Sequence, residues 1–146
     1  MRIAIGADHA GYELKNLLAD FLIQQGHNVI DCGTNSLEST DYPDYAVAAC
    51  QLVENMECDY AVLVCGSGIG VCITANKVKG IRAANCLSKD HASLSRQHNN
   101  CNVVTLGARF LSYDEAKEIV TTFLSTEFEG GRHQKRVDKI HSLTHC

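Results

Sequence analysis

A chain of 146 residues has the length of one domain, 1–146, and can bury roughly 70% of the surface its unfolded form exposes, so it needs no disulfide or metal staple. Its composition, 45% hydrophobic and 21% charged, is that of an ordinary globular protein, and a net charge of −4 argues against nucleic acid or an anionic membrane as the main partner. No apolar run approaches the ~20 residues of a membrane span, and the chain opens directly on Ile3-Ala4-Ile5 with no basic leader before an apolar stretch.

Short apolar runs alternate with helical periods. Arg2–Gly6 reads as a strand, and Leu14, Leu17, Leu18, Phe21 and Leu22 follow the i, i+3, i+4, i+7, i+8 spacing of a helix that Gly26 ends. A second strand covers His27–Asp31. Pro43 suits the first position of a helix carrying Ala46, Ala49, Leu52 and Val53 on one face. Ala61–Val64 is continuously apolar, as a strand buried on both faces must be. A helix follows from about Ile69 to Lys77, then a short strand at Ile81–Ala84. Ser88 can cap a helix reaching about His98, and Asn102–Leu106 is the fifth strand. Ser112-x-x-Glu115 is a capping box that opens a helix with Ala116, Ile119, Val120, Phe123 and Leu124 inward. A last helix starts after Gly130-Gly131.

This regular alternation predicts an α/β fold: a single-domain, three-layer α/β/α sandwich around a five-stranded parallel sheet, Rossmann-like in arrangement. Ligands of such sheets bind at the carboxyl ends of the strands. Four places qualify: Asp8-His9, the loop Cys65–Gly70, the segment from Asn85, and Gly107-Ala108-Arg109.

The loop Cys65-Gly66-Ser67-Gly68-Ile69-Gly70 is the sharpest of these. Alternate glycines let backbone N–H groups approach a ligand, and the helix that follows adds positive potential. The loop can therefore hold a phosphate or a developing oxyanion, and the same dipole would stabilise a thiolate at its head. The competing reading is a tight turn with a buried thiol. G-x-G-x-x-G and G-x-x-x-x-G-K-[ST] are both absent. Val71 stands where a cysteine phosphatase needs arginine, and Cys65 where a receiver domain needs aspartate.

Arg132 and Arg136 share a helix face if Gly130–Arg136 is helical. Cations in a first turn oppose the helix dipole, a cost that makes sense if an anion sits between the two guanidinium forks. A solvated basic face competes, and for a lone R-x-x-x-R it is the stronger reading. Of seven histidines, His9 and His98 have suggestive positions; His27, His91, His141 and His145 read as surface or packing residues, and their spacing suggests no metal site. The eight cysteines (Cys32, Cys50, Cys58, Cys65, Cys72, Cys86, Cys101 and Cys146) form no C-x-x-C pair. They are expected to be reduced, mostly buried thiols of a cytoplasmic protein.

Seven segments in order resemble the ribose-5-phosphate isomerase B family, within the group that includes allose- and galactose-6-phosphate isomerases: Gly6–Gly11, Thr40–Pro43, Cys65–Gly70, Ala75–Lys77, Gly80–Ala83, Leu94–Asn99 and Glu129–His133. The resemblance implies an aldose–ketose isomerase without metal or cofactor, working on a phosphorylated sugar through an enediolate. It implies that Cys65 carries a proton between C2 and C1, and that Ser67 and the backbone of Gly66, Gly68, Ile69 and Gly70 hold the enediolate oxygens. His98 would open the furanose ring. Asp8 and Asn99 would bind sugar hydroxyls, and His9, Arg109, Arg132 and Arg136 the phosphate end. It also implies a homodimer or homotetramer with sites between subunits. Two departures stand out: Ser67 replaces a common threonine, and Val71 replaces the glutamate base of a branch lacking the cysteine. Ribose 5-phosphate is the expected substrate, with a hexose 6-phosphate such as allose 6-phosphate as the alternative.

Overall fold

The structure, a computed structural model, describes residues 1–144; His145 and Cys146 lie outside the described residues. Five strands alternate with six helices: β1 (Arg2–Ala7), α1 (Tyr12–Gln24), β2 (Asn28–Asp31), α2 (Tyr42–Glu54), β3 (Tyr60–Cys65), α3 (Ile69–Ala75), β4 (Ala83–Asn85), α4 (Lys89–Asn99), β5 (Val103–Gly107), α5 (Tyr113–Ser125) and α6 (Arg132–Thr144). The strands form one sheet in the order β2-β1-β3-β5-β4, every pair parallel. This is the α/β/α sandwich the alternation implied. Among the described residues no helix is long and apolar enough to cross a membrane.

The two-residue period of a strand explains the layers. Ile3, Ile5, Val62, Val64, Val104 and Leu106 point into a core closed by α1, α4 and α5. Ala4, Ala61, Leu63, Cys65 and Val103 point to the opposite face, against α2 and α3. With both faces covered, β3 is apolar and buried throughout Ala61–Val64, as was expected. All five inward residues expected on α5 are buried, and the Ser112–Glu115 capping box forms in both directions.

Several boundaries shift for identifiable reasons. β4 starts at Ala83 because the Arg82 amide donates to the Asn102 side chain (2.8 Å) instead of joining the ladder. α3 stops at Ala75 because Asn76 turns its side chain onto Cys72 O (3.0 Å) and Ala83 O (2.9 Å), tying the helix end to β4. Pro43 occupies the second helical position, behind the N-cap Asp41. On α1 it is Lys15, paired with Asp31, that is buried beside Leu14, Leu18 and Leu22, whereas Leu17 faces outward.

Candidate active site

The strand order places β1 and β3 side by side while their connections leave in opposite directions. This is the switch point at which α/β sheets open a crevice beyond the strand ends. Asp8 and His9 leave β1 there, the loop from Cys65 leaves β3, and Arg109 leaves the neighbouring β5. The register Cys65↔Gly107 brings the last two together.

Each group in this crevice is held by its backbone context. Asp8 is buried, and its Oδ1 accepts the amides of Ala10 (3.0 Å) and Gly11 (3.1 Å), fixing the carboxylate at the entry to α1. His9 Nδ1 lies against both the Thr40 amide (3.2 Å) and Thr40 O (3.3 Å), which holds the ring by that edge and leaves Nε2 for a ligand. Cys65 is 4% exposed, and its Sγ accepts the amide hydrogen of Gly68 at 3.2 Å. That bond favours negative charge on sulfur.

The glycines are required by close approach. Gly68 has φ +77°, and a Cβ there would collide with Asn85 Oδ1 and the backbone at Leu106–Gly107. At Gly66 a Cβ would meet the Arg109 guanidinium at 2.9 Å, and at Gly70 the Tyr42 ring at 2.6 Å. The loop is further pinned by Thr105 Oγ1, which donates to Gly68 O at 3.0 Å, and by the Ile69 amide donating to Ser67 Oγ at 3.3 Å. Tyr42 and Thr105 thus shape the crevice without having been singled out, beside Asn85, which opens one of the four strand-end places expected. Tyr42 lies within the Thr40–Pro43 segment, while Thr105 has no local pattern to mark it.

His98, Asn99, Arg132 and Arg136 form a second group. α4 leaves the carboxyl end of β4 and runs back along the sheet, so its last turn lies at the amino ends of the strands. Arg96 makes this concrete: its Nη2 donates to Tyr60 OH (3.1 Å) at the start of β3 and its Nη1 to Cys101 O, just ahead of β5. β3 separates its own two ends by roughly 16 Å at 3.3 Å per residue. In one chain, therefore, the Cys65 group and the His98 group occupy opposite ends of the sheet.

The second group is organised around a stacked imidazole pair. His98 and His133 lie with ring centroids 4.2 Å apart and planes within 6°. Glu129 Oε2 is 3.6 Å from His133 Nε2 and 4.0 Å from His98 Nε2. Arg132 and Arg136 are exposed one turn apart on α6. Burial first, then His98 and Arg132, hold His133 below the usual histidine pKa. The side-chain N and O atoms of His98, Glu129 and His133 fall within 4.8 Å of one another, a cluster that the histidine spacing did not suggest. It is missed because His98 comes from another element than the Glu129–His133 turn. Of the described cysteines, all seven are free thiols; Cys50, Cys58, Cys65, Cys86 and Cys101 are buried, and Cys32 and Cys72 are half-buried. Burial pushes Cys50 and Cys86 up to about 12.

The sequence model of a family described as ribose/galactose isomerase matches residues 3–140. The chain belongs to that family. It is 46% identical over 142 residues to ribose-5-phosphate isomerase B of Escherichia coli K12, covering 97% of this chain and 95% of the relative. Among solved structures, ribose-5-phosphate isomerase B of Clostridium thermocellum superposes with a TM-score of 0.98 at 48% identity, covering 99% of this chain and 98% of the other. The Mycoplasma genitalium ribose-5-phosphate isomerase B, solved with bound ribulose 5-phosphate, superposes with a TM-score of 0.94 at 44% identity, covering 99% and 96%.

Proposed function

We propose that the whole chain is one isomerase domain interconverting D-ribose 5-phosphate and D-ribulose 5-phosphate, with Cys65 as the proton-transferring group. The observation that carries the assignment of the base is the Gly68 amide on Cys65 Sγ, in a cluster shared with the buried Val71. No carboxylate stands at position 71 to take the proton instead, and the loop already aims a backbone donor at the sulfur.

The chemistry needs only proton movement. His98 opens the ring, and the Cys65 thiolate takes the C2 proton of the aldehyde. Negative charge then spreads over O1 and O2 as the enediolate forms, and the glycine-loop amides with Ser67 hold those oxygens. Preorganised donors are most effective against charge that develops in the transition state. The O2 hydroxyl proton passes to O1 and the Cys65 thiol returns its proton to C1, giving the ketose with C2=O2 and an O1 hydroxyl. Asp8 and Asn99 bind the sugar hydroxyls. His9, through its Nε2 edge, joins Arg109, Arg132 and Arg136 in holding the phosphate, whose binding energy is remote from the reacting carbons.

One chain cannot bring Cys65 and His98 to the same sugar, and this supports a homodimer, alone or paired into a tetramer. Cys65, Asp8 and His9 of one protomer would meet His98, Arg132 and Arg136 of the partner subunit. A cytoplasmic setting completes the reading and is supported by the free thiols.

Cys65→Ala tests the base. The variant should keep its circular dichroism spectrum and melting curve while isomerisation falls by at least about 10³-fold; near-normal turnover would remove Cys65 from the mechanism. Comparing kcat/KM for ribose 5-phosphate and allose 6-phosphate tests the substrate, with preference for the pentose expected.

A further inference from the structure

We propose that Glu129 and His133 are positioning residues that hold His98 ready to open the sugar ring. The proposal rests on the reading of His98 as the ring-opening group and adds two residues to it.

The Glu129–His133 turn is built to place two side chains against one imidazole. The Glu129 amide donates to Gln97 O (3.1 Å), anchoring the turn on the last turn of α4 beside His98. Gly130 and Gly131 both adopt positive φ, +65° and +54°, so the chain reverses at once and α6 begins. The His133 amide then donates to Gly130 O (3.0 Å). As a result His133 stacks on one face of His98 while the Glu129 carboxylate lies beside the Nε2 atoms of both rings.

Each partner has a distinct effect. The stacked ring limits rotation of His98 and shields one of its faces from water. Two parallel imidazolium rings at 4.2 Å repel, so the pair holds one proton readily and a second with difficulty. His133 is the buried member, at 6% exposure, flanked by Arg132 and Arg136, and favours the neutral form. Glu129, with Oε2 4.0 Å from His98 Nε2, orients the half-exposed ring from its edge. A divalent ion bridging the same three atoms fits less well. Stacked rings keep their lone pairs in two nearly parallel planes that do not meet at one point, and Arg132 Nε lies 3.5 Å from His133 Nε2, the atom an ion would need.

Ring opening then balances as follows. The C1–O4 bond breaks with its electron pair going to O4, which takes the proton from His98. The O1 hydroxyl loses its proton to water as C1=O1 forms, and His98 is reprotonated from solvent.

Ribulose 5-phosphate separates this step from the rest, because its C5 oxygen is esterified and it has no furanose form. Exchange of its C1 hydrogen with D2O needs Cys65 and the enediolate but not ring opening. The test is the ratio of ribose 5-phosphate isomerisation to C1 exchange, followed by NMR in the full-length enzyme. His98→Asn should lower that ratio. Glu129→Gln and His133→Asn should lower isomerisation about 10-fold with exchange within about 2-fold of the unmodified enzyme, and Glu129→Asp should recover most of the loss. Glu129 is exposed, so its substitution leaves folding intact even if the buried His133 does not tolerate change. A parallel fall of both rates in Glu129→Gln, or no fall in either, overturns the proposal. If His98→Asn leaves the ratio unchanged, the ring-opening reading of His98 falls and the proposal with it. If His98→Asn lowers the ratio and Glu129→Gln does not, only the positioning role falls.

Discussion

At the scale of single residues, two polar rings show how burial assigns chemistry. His9 is held at Nδ1 by the Thr40 backbone, which leaves Nε2 for a ligand. His133 is depressed below the usual histidine pKa by burial and by the charges of His98 and Arg132. Its unfolded-state value is about 6.5, so above that pH the folded and unfolded chains carry the same proton count at this site. As pH falls below about 6.5 the unfolded chain takes up the proton first, and stability declines until the folded-state value is reached. Urea denaturation at pH 7.5 and at pH 5.5 should therefore show a loss at the lower pH that is smaller in His133→Asn; an identical loss in both proteins would contradict the assignment. Neither ring's environment was legible in the sequence. The Cys65–Gly70 loop was, because its glycines answer to local close approach and to one positive φ. The stack of His98 on His133 depends on where α6 docks, which no local spacing encodes.

At the scale of elements, α4 has to be held along the sheet edge if His98 and Asn99 are to be presented at its end. Arg96 does most of this. It is buried and donates to Thr126 O, Asn100 Oδ1, Cys101 O and Tyr60 OH, with its guanidinium over the Tyr60 and Phe123 rings at 5.0 and 5.7 Å. Arg96→Ala leaves those acceptors and the phenol without their partner at once. We expect a loss of about 3 kcal/mol in chemical denaturation and a fall in kcat from a loosened His98. Arg96→Lys should recover only part of it, since one ammonium cannot reproduce a planar fork; full recovery would mean that charge alone suffices. The elements themselves were readable because hydrophobic period and caps are local signals. α5 came out inward residue by inward residue. The limits of α3 and β4 did not, because Asn76 and Asn102 decide them through side-chain bonds between segments distant in sequence.

For the whole molecule, the sheet itself dictates how many chains a working site needs. Parallel strands carry every strand-end loop to one edge and every returning helix to the other, so Cys65 and His98 diverge however the loops relax. If the homodimer reading is right, a chain broken at Cys65 and a chain broken at His98 each retain one intact half-site of a different kind. Cys65→Ala and His98→Asn protomers, each inactive alone in isomerising ribose 5-phosphate, can be unfolded together, mixed in equal amounts and refolded. Random pairing makes half the dimers mixed, and in a mixed dimer one site combines intact Cys65 with intact His98 of the partner subunit while the other site loses both. Activity should return to about a quarter of that of the unmodified enzyme. A mixture of Cys65→Ala with Asp8→Asn should recover nothing, since both substitutions fall on the same half-site. No recovery in the first mixture would mean that each protomer completes its own site, and the separation along β3 would then have to be closed by a rearrangement of α4 and α6; recovery in the second would mean that Cys65 and Asp8 serve different sites.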